Sequence, residues 1–186
     1  MPTINTALFP EYIFYAEQSM SPALQPIGYQ ALRKGRVSVP GQAYLVTTVC
    51  HLRTPYFLNT EAARSAASVL RSDEAWPHAA AEAWVLMPDH WHGLVILEGS
   101  ESISRVIQRL KSILTRQVAD GKQQRHTLWQ RGFRDRALRS EDSLLRAARY
   151  VLDNPVRAGL VNHWSVWPHR GGRLIDAIQP NDPAFL

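Results

Sequence analysis

Apolar residues form two short runs in the middle of the chain, Ala79–Met87 and 90–98, on either side of a Met-Pro-Asp segment. Runs of this length around a proline-containing turn predict a β-hairpin. Successive side chains of a strand point to opposite faces, so residues two apart share a face. We therefore expect His90 and His92 side by side on one face of the second strand, and Trp91 on the other.

The remaining apolar patterns predict the rest of the fold. They indicate a strand over 43–50, a helix after Asn59-Thr60, a helix over 101–118, a loop and strand over 129–138, and a helix over 141–153. This order predicts an α+β fold, namely a ferredoxin-like βαββαβ antiparallel sheet with an added C-terminal helix. Because both crossover helices pack on one face, we expect the other face to be free for a substrate or partner.

The chain of 186 residues fits one domain with an appended arm and tail. Four prolines and the absence of clear periodicity indicate an irregular arm over 1–32, followed by the domain over 33–161 and an extension over 162–186. No apolar run is long enough to span a bilayer, and the first residues do not resemble a secretory signal. We therefore expect a cytoplasmic protein. The single cysteine, Cys50, excludes an internal disulfide and lies in an apolar run that favours a buried, inert thiol.

The net charge of +5 is unevenly distributed. Residues 101–157 carry thirteen Lys and Arg against six Asp and Glu, whereas residues 1–100 carry six against eight. Arginine dominates the basic segment, and its planar guanidinium binds phosphate through two parallel hydrogen bonds. This concentration favours a nucleic-acid partner over a merely solvated basic face, although charge alone does not separate DNA from RNA.

The two histidines are the first candidate for chemistry. Neutral imidazoles that share a strand face can bind one metal ion, and imidazole is a frequent metal ligand. The alternative is a half-buried polar pair that is hydrogen-bonded to the backbone. Spacing alone does not decide between these two interpretations.

The last predicted helix supplies a second candidate, Tyr150. It lies off the apolar face, with Arg146 one turn before it and Asn154 one turn after it. From this helix alone, Tyr150 could equally be an ordinary boundary residue with its hydroxyl in water. Asn154 precedes a proline, so it either ends the helix or caps the next turn.

Taken together, the motifs over 33–161 resemble those of the REP-associated tyrosine transposases, a single-tyrosine branch of the HUH single-strand DNA endonucleases. The MPDHWHGL segment is similar to the histidine–hydrophobic–histidine motif of HUH enzymes. The similar segments follow one another in family order: RKGRVSVPGQAYLVTT, AWVLMPDHWHGLVIL, IQRLKS, LWQRGFRDRALR and ARYVLDNPVRAGLV.

The resemblance implies a role for each site residue. Tyr150 would be the nucleophile that attacks a DNA phosphodiester, giving a 5′-phosphotyrosine and a free 3′-hydroxyl. His90 and His92 would bind a divalent metal, magnesium or manganese, with the carboxamide oxygen of Asn154 as the third ligand. Tyr150 has no second tyrosine on its helix, which fits the single-tyrosine branch.

The resemblance also implies the partner, which is a single-stranded DNA hairpin of the REP palindrome type. It further implies a nucleoid-associated protein that acts as a monomer or a homodimer. The candidate DNA-binding residues are Arg33, Lys34, Arg36, Arg105, Arg109, Arg116, Arg131, Arg134, Arg136, Arg146 and Arg157.

Two other functions stay open from the sequence. The first is a palindrome-binding protein that does not cleave, against which the presence of all the catalytic residue types argues. The second is a nickase similar to replication initiators or relaxases, against which the lack of a second tyrosine and of a helicase region argues.

Overall fold

The computed structural model of the protein describes residues 38–119, 127–139 and 143–178. The predicted arm over 1–32 and the basic cluster Arg33, Lys34 and Arg36 lie outside the described residues. The strands are β1 (Ala43–Val49), β2 (Ala79–Met87), β3 (His90–Leu97), β4 (Arg134–Ala137) and β5 (Arg170–Gly171). The helices are α1 (Thr60–Arg71), α2 (Ile103–Ala119), α3 (Leu144–Leu152) and α4 (Asn154–Arg157).

The five strands form one antiparallel sheet in the order β4-β1-β3-β2-β5. The first four strands and the two helices between them have the ferredoxin-like order, so the predicted fold class is confirmed. The edge strand β5 comes from the C-terminal extension and was not predicted. It is two residues long and pairs with Trp84 and Val85 of β2.

One face of the sheet is sealed by α1 and α2. Helix α1 begins at Thr60, where a helix was predicted, and Asn59 caps it by accepting hydrogen bonds from the backbone of Glu61 and Ala62. The apolar stripes of both helices pack on alternate residues of the strands, including Trp91, which is 0% exposed. Cys50 is buried in the same core, where burial raises the pKa of its thiol, so the thiol is inert as expected.

The opposite face is not free, and the expectation of an open face was wrong. Helix α3 packs Val151 and Leu152 against this face, and the extension adds Trp164 and Trp167 to the same apolar cluster. The amphipathic pattern of α3 shows that it needs an apolar partner, but it does not specify which face provides it. Of the described residues on this face, His90 and His92 lie at one end and do not belong to the apolar cluster.

The junction between α3 and α4 lies between the two candidate site residues Tyr150 and Asn154. Ser143 caps α3, and the helix runs to Leu152; residues 141 and 142, predicted as its start, lie outside the described residues. Asn154 begins α4 directly afterwards, because Pro155 is tolerated in a first helical turn.

Among the helices of the described ranges, none has the length and hydropathy needed to cross a membrane.

Candidate active site

The β2–β3 hairpin places its two histidines as the alternation predicted. His92 lies opposite Thr47 of β1 and Val85 of β2, and His90 lies opposite Val49 and Met87. Directly opposed residues project from the same face, which is the face covered by α3. Trp91 points into the other core. One strand therefore contributes alternately to the site and to the core.

His92 is buried, with 9% of its surface exposed. Its Nδ1 lies 2.6 Å from the hydroxyl oxygen of Thr47. Burial, together with His90 and Arg157, lowers the pKa of His92 to about 4, so the ring is neutral at pH 7. Its Nε2 is buried and has no hydrogen-bond partner among the described residues. If the proton is on Nδ1 and is donated to Thr47, Nε2 carries an unused lone pair.

His90 is held by the residue before it. Its Nδ1 lies 2.6 Å from Oδ1 of Asp89, which is buried in the hairpin turn. A carboxylate only accepts, so Nδ1 is the protonated nitrogen and Nε2 of His90 is the one that can bind a ligand. Asp89 also accepts a hydrogen bond from Arg53 at 2.8 Å.

Tyr150 projects from α3 onto the histidine end of the sheet. Its ring centroid is 5.8 Å from that of His92, in an edge-to-face arrangement, and 47% of the tyrosine is exposed. The guanidinium carbon of Arg157 lies 4.7 Å from the same ring. The structure thus brings together a tyrosine accessible to solvent, a neutral imidazole and a cation from three separate elements.

Asn154 lies one helical turn after Tyr150. Its amide nitrogen donates to the carbonyl oxygens of Tyr150 and Val151, each at 3.0 Å. These two bonds fix the orientation of the amide and leave the carboxamide oxygen, which is the atom that a hard cation prefers. Asn154 is the first residue of α4, whose cap is Asp153, so it neither ends α3 nor caps the next turn.

The ring nitrogens of His90 and His92 and the carboxamide oxygen of Asn154 are donor types that fit a divalent metal. Both histidines have their Nδ1 held by an oxygen, which directs each Nε2 as in many metal sites, and the orphaned Nε2 of His92 lacks any other use. Among the described residues no group of three His, Cys, Asp or Glu side chains could hold a metal. A metal held by more than the two histidines would need a ligand of another type, and the carboxamide oxygen of Asn154 is the candidate that the sequence offered.

Some of the predicted DNA-binding residues lie on the tyrosine side of the sheet. Arg134 and Arg136 of β4 oppose Thr47 and Leu45, so they project from the same face as His92. Arg146 and Arg157 are exposed on α3 and α4. Arg131 is exposed in the loop before β4.

That loop is held by Lys111 of α2. The lysine donates to the carbonyl oxygens of Gln130 and Gly132, at 2.6 and 2.8 Å. Burial lowers the pKa of Lys111 to about 8. No sequence pattern predicted this role. The lysine fixes the loop that leads into Arg134.

The other predicted DNA-binding residues lie on α2, on the far side of the sheet. Arg105 and Arg116 are exposed there, and Arg109 forms an ion pair with Glu101. The basic segment that is continuous in sequence is therefore divided between two surfaces in the fold.

Sequence reasoning missed three residues that support the site: Thr47, Arg53 and Asp89. Thr47 could not be found without the register of β1 against β3, which is a tertiary property. Asp89 is adjacent to His90 in sequence, and its position in a tight turn before a histidine was the available signal. Nothing in the sequence pairs Arg53 with Asp89.

Comparisons with known proteins identify a family and a shared fold. The family model described as "Transposase IS200 like" matches residues 38–154, which is more than half of the chain. A solved structure of a REP-associated tyrosine transposase bound to a REP hairpin has 24% identity and a TM-score of 0.59, and the match covers 76% of this chain and 81% of that one. This likeness shows a shared fold.

A crystal structure of a Deinococcus radiodurans R1 protein described as a transposase has 20% identity and a TM-score of 0.47. That match covers 68% of this chain and 91% of the other. A comparison with curated protein sequences found no significant match. The family match and the shared fold confirm the resemblance predicted from the motifs, and this chain belongs to the family of IS200-like transposases.

Proposed function

We propose that the protein is a metal-dependent single-strand DNA endonuclease and strand transferase that binds and cleaves REP-type hairpins. The observation that carries this proposal is the contact between the exposed Tyr150 and the buried, neutral His92, whose Nε2 lacks a partner among the described residues. The REP hairpin in the solved relative supports the choice of substrate.

Tyr150 is the nucleophile in this proposal. Its oxygen bonds to phosphorus, the phenol proton departs, the bond from phosphorus to the 3′-oxygen breaks, and that oxygen takes up a proton. The products are a 5′-phosphotyrosine and a free 3′-hydroxyl, which can later reverse the reaction. A phenol is a weak nucleophile at pH 7, so the reaction needs groups that stabilise developing negative charge.

The chain supplies such groups. Arg157 lies against the tyrosine ring, where a cation stabilises both phenolate character and the approaching phosphate. His90, His92 and Asn154 would hold a magnesium or manganese ion, which when bound supplies Lewis-acid charge to the phosphate. Arg134, Arg136 and Arg146 lie on the same side and would bind flanking phosphates. Cytoplasmic, nucleoid-associated location and the choice between monomer and homodimer stay predictions.

Formation of a covalent adduct tests the proposal. We expect wild-type protein with Mn²⁺ to form a denaturation-resistant adduct with a labelled REP-type hairpin, and a chelator to abolish it. Tyr150→Phe removes only the hydroxyl, so hairpin binding should persist while the adduct disappears.

Tyr44→Phe is the matched control, because Tyr44 is buried on the opposite side of the sheet. This variant should still form the adduct. Wild-type binding that is sensitive to salt and indifferent to chelator, with no adduct in any metal, would instead indicate the palindrome-binding function. An adduct in Tyr150→Phe would reject Tyr150 as the nucleophile.

A further inference from the structure

A short exposed turn follows β1 at the histidine end of the sheet. Its backbone is anchored at two points: the Cys50 amide donates to Asp89, and the His51 amide donates to Leu128. Leu52 and Arg53 have φ angles of 54° and 53°, in the left-handed region that bulky residues rarely adopt. The turn therefore holds an unfavourable backbone conformation beside the candidate metal site.

The turn delivers Arg53 to Asp89. One terminal nitrogen of Arg53 lies 2.8 Å from Oδ2 of Asp89, while Oδ1 of the same carboxylate holds His90. The carboxylate is thus shared between an arginine and a candidate metal ligand. Asp89 is buried, and both of its carboxylate oxygens are engaged, so it holds Arg53 at the protein surface.

Arg53 keeps donors for another partner. Its side chain is 57% exposed, and a guanidinium has five N–H donors, of which the Asp89 contact uses one nitrogen. Neighbouring His51 and Thr54 are exposed, and Leu52 is 78% exposed, so the approach to the guanidinium is open. A planar donor of this kind, fixed on one side by a carboxylate, is well suited to bind a phosphate with the other.

We propose that Arg53 binds a DNA phosphate close to the cleavage position, and that Asp89 positions it for this contact. The inference rests on the proposed function, since it places the substrate at the histidine end of the sheet. It adds a residue outside the basic segment to the DNA-binding surface. It also gives the shared carboxylate a role, because Asp89 holds the phosphate-binding Arg53 in a fixed position relative to His90.

The test pairs protein variants with chemically altered DNA, in chelator, so that binding is measured without cleavage. Single phosphates near the cleavage position of a REP-type hairpin are replaced one at a time by neutral methylphosphonates. We expect one replacement to weaken wild-type binding by about 10-fold, as for a lost charge-assisted contact. Arg53→Gln should bind the unmodified hairpin about 10-fold more weakly and should be insensitive to that same replacement.

Two further variants complete the test. Arg53→Lys keeps the charge without the planar fork, so it should restore part of the binding and part of the sensitivity. Arg64→Gln removes an exposed arginine from α1, on the other side of the sheet, and should behave as wild type. A merely structural role for Arg53 would lower binding without removing the sensitivity to one particular phosphate.

The outcomes separate this inference from the proposed function. If wild-type protein forms its adduct with Mn²⁺ while Arg53→Gln keeps full sensitivity to every replacement, the inference is overturned and the proposed function stands. If wild-type protein binds no hairpin, both are overturned.

Discussion

The two faces of the sheet place alternate residues of the same strands in different surroundings. On the α1–α2 face, Trp91 and its neighbours form a closed apolar core. On the α3 face, the adjacent residues His90 and His92 meet Thr47, Tyr150 and a solvent-exposed rim. The α3 face holds a buried nitrogen, Nε2 of His92, without a partner among the described residues, and the closed core on the other face stabilises the strand against that cost.

The covering helices explain the difference. Both α1 and α2 are long enough to present a continuous apolar stripe, whereas α3 has nine residues and buries mainly its second half. Leu145 in its first turn and Tyr150, which points away from the buried face, reach solvent. A short helix at one end of a sheet leaves the opening that a macromolecular substrate requires.

The largest expected effect is on the free energy of unfolding, and it is measured by comparing one aromatic residue from each face. Trp91→Ala should lower the free energy of unfolding by about 3–5 kcal/mol, because it empties a fully buried site. Tyr150→Phe should change it by less than about 0.5 kcal/mol, since the hydroxyl is at an exposed position. Urea denaturation of both variants measures this. Equal losses would mean that the two faces are equally important for stability.

Acid should destabilise the α3 face through His92. The folded-state pKa of about 4 lies below the unfolded value of about 6.5, so between these values the unfolded chain binds a proton that the native chain does not. Stability should be greatest above about pH 6.5 and fall by up to about 3 kcal/mol as the pH decreases to about 4. Urea denaturation of metal-free protein at pH 7 and 4.5 measures this.

His92→Gln isolates this contribution, because it removes the titrating ring and keeps a polar side chain. The pH dependence of its stability should be flatter than that of wild type. An identical fall in the variant would show that other groups cause the loss.

The smallest expected effect concerns exposed arginines on the two sides. Arg134→Gln should weaken hairpin binding several-fold and reduce the salt dependence of binding by about one phosphate contact, because Arg134 shares a sheet face with His92. Arg105→Gln, on α2, should have a smaller effect through long-range charge alone. Fluorescence anisotropy across a salt series measures both. A larger loss for Arg105→Gln would move the DNA to the α2 side.

The sequence alone determined the elements whose signals are local. Alternation in the hairpin separated His90 and His92 from Trp91, and helical spacing identified α2 and placed Tyr150 off the apolar face of α3. The element order then sufficed for the ferredoxin-like sheet, because few topologies connect such elements with short crossovers. The strand and helix signals themselves depend on residues within one or two turns of each other.

Tertiary structure decided which local features meet. The register of β1 against β3 brings Thr47 to His92, and the turn after β1 brings Arg53 to Asp89. Packing places α3 on the face that we expected to be open, and divides one basic segment between two surfaces. Sequence periodicity fixes the direction of a side chain relative to its own element, but contact between elements depends on register and packing, which arise only when the whole chain folds.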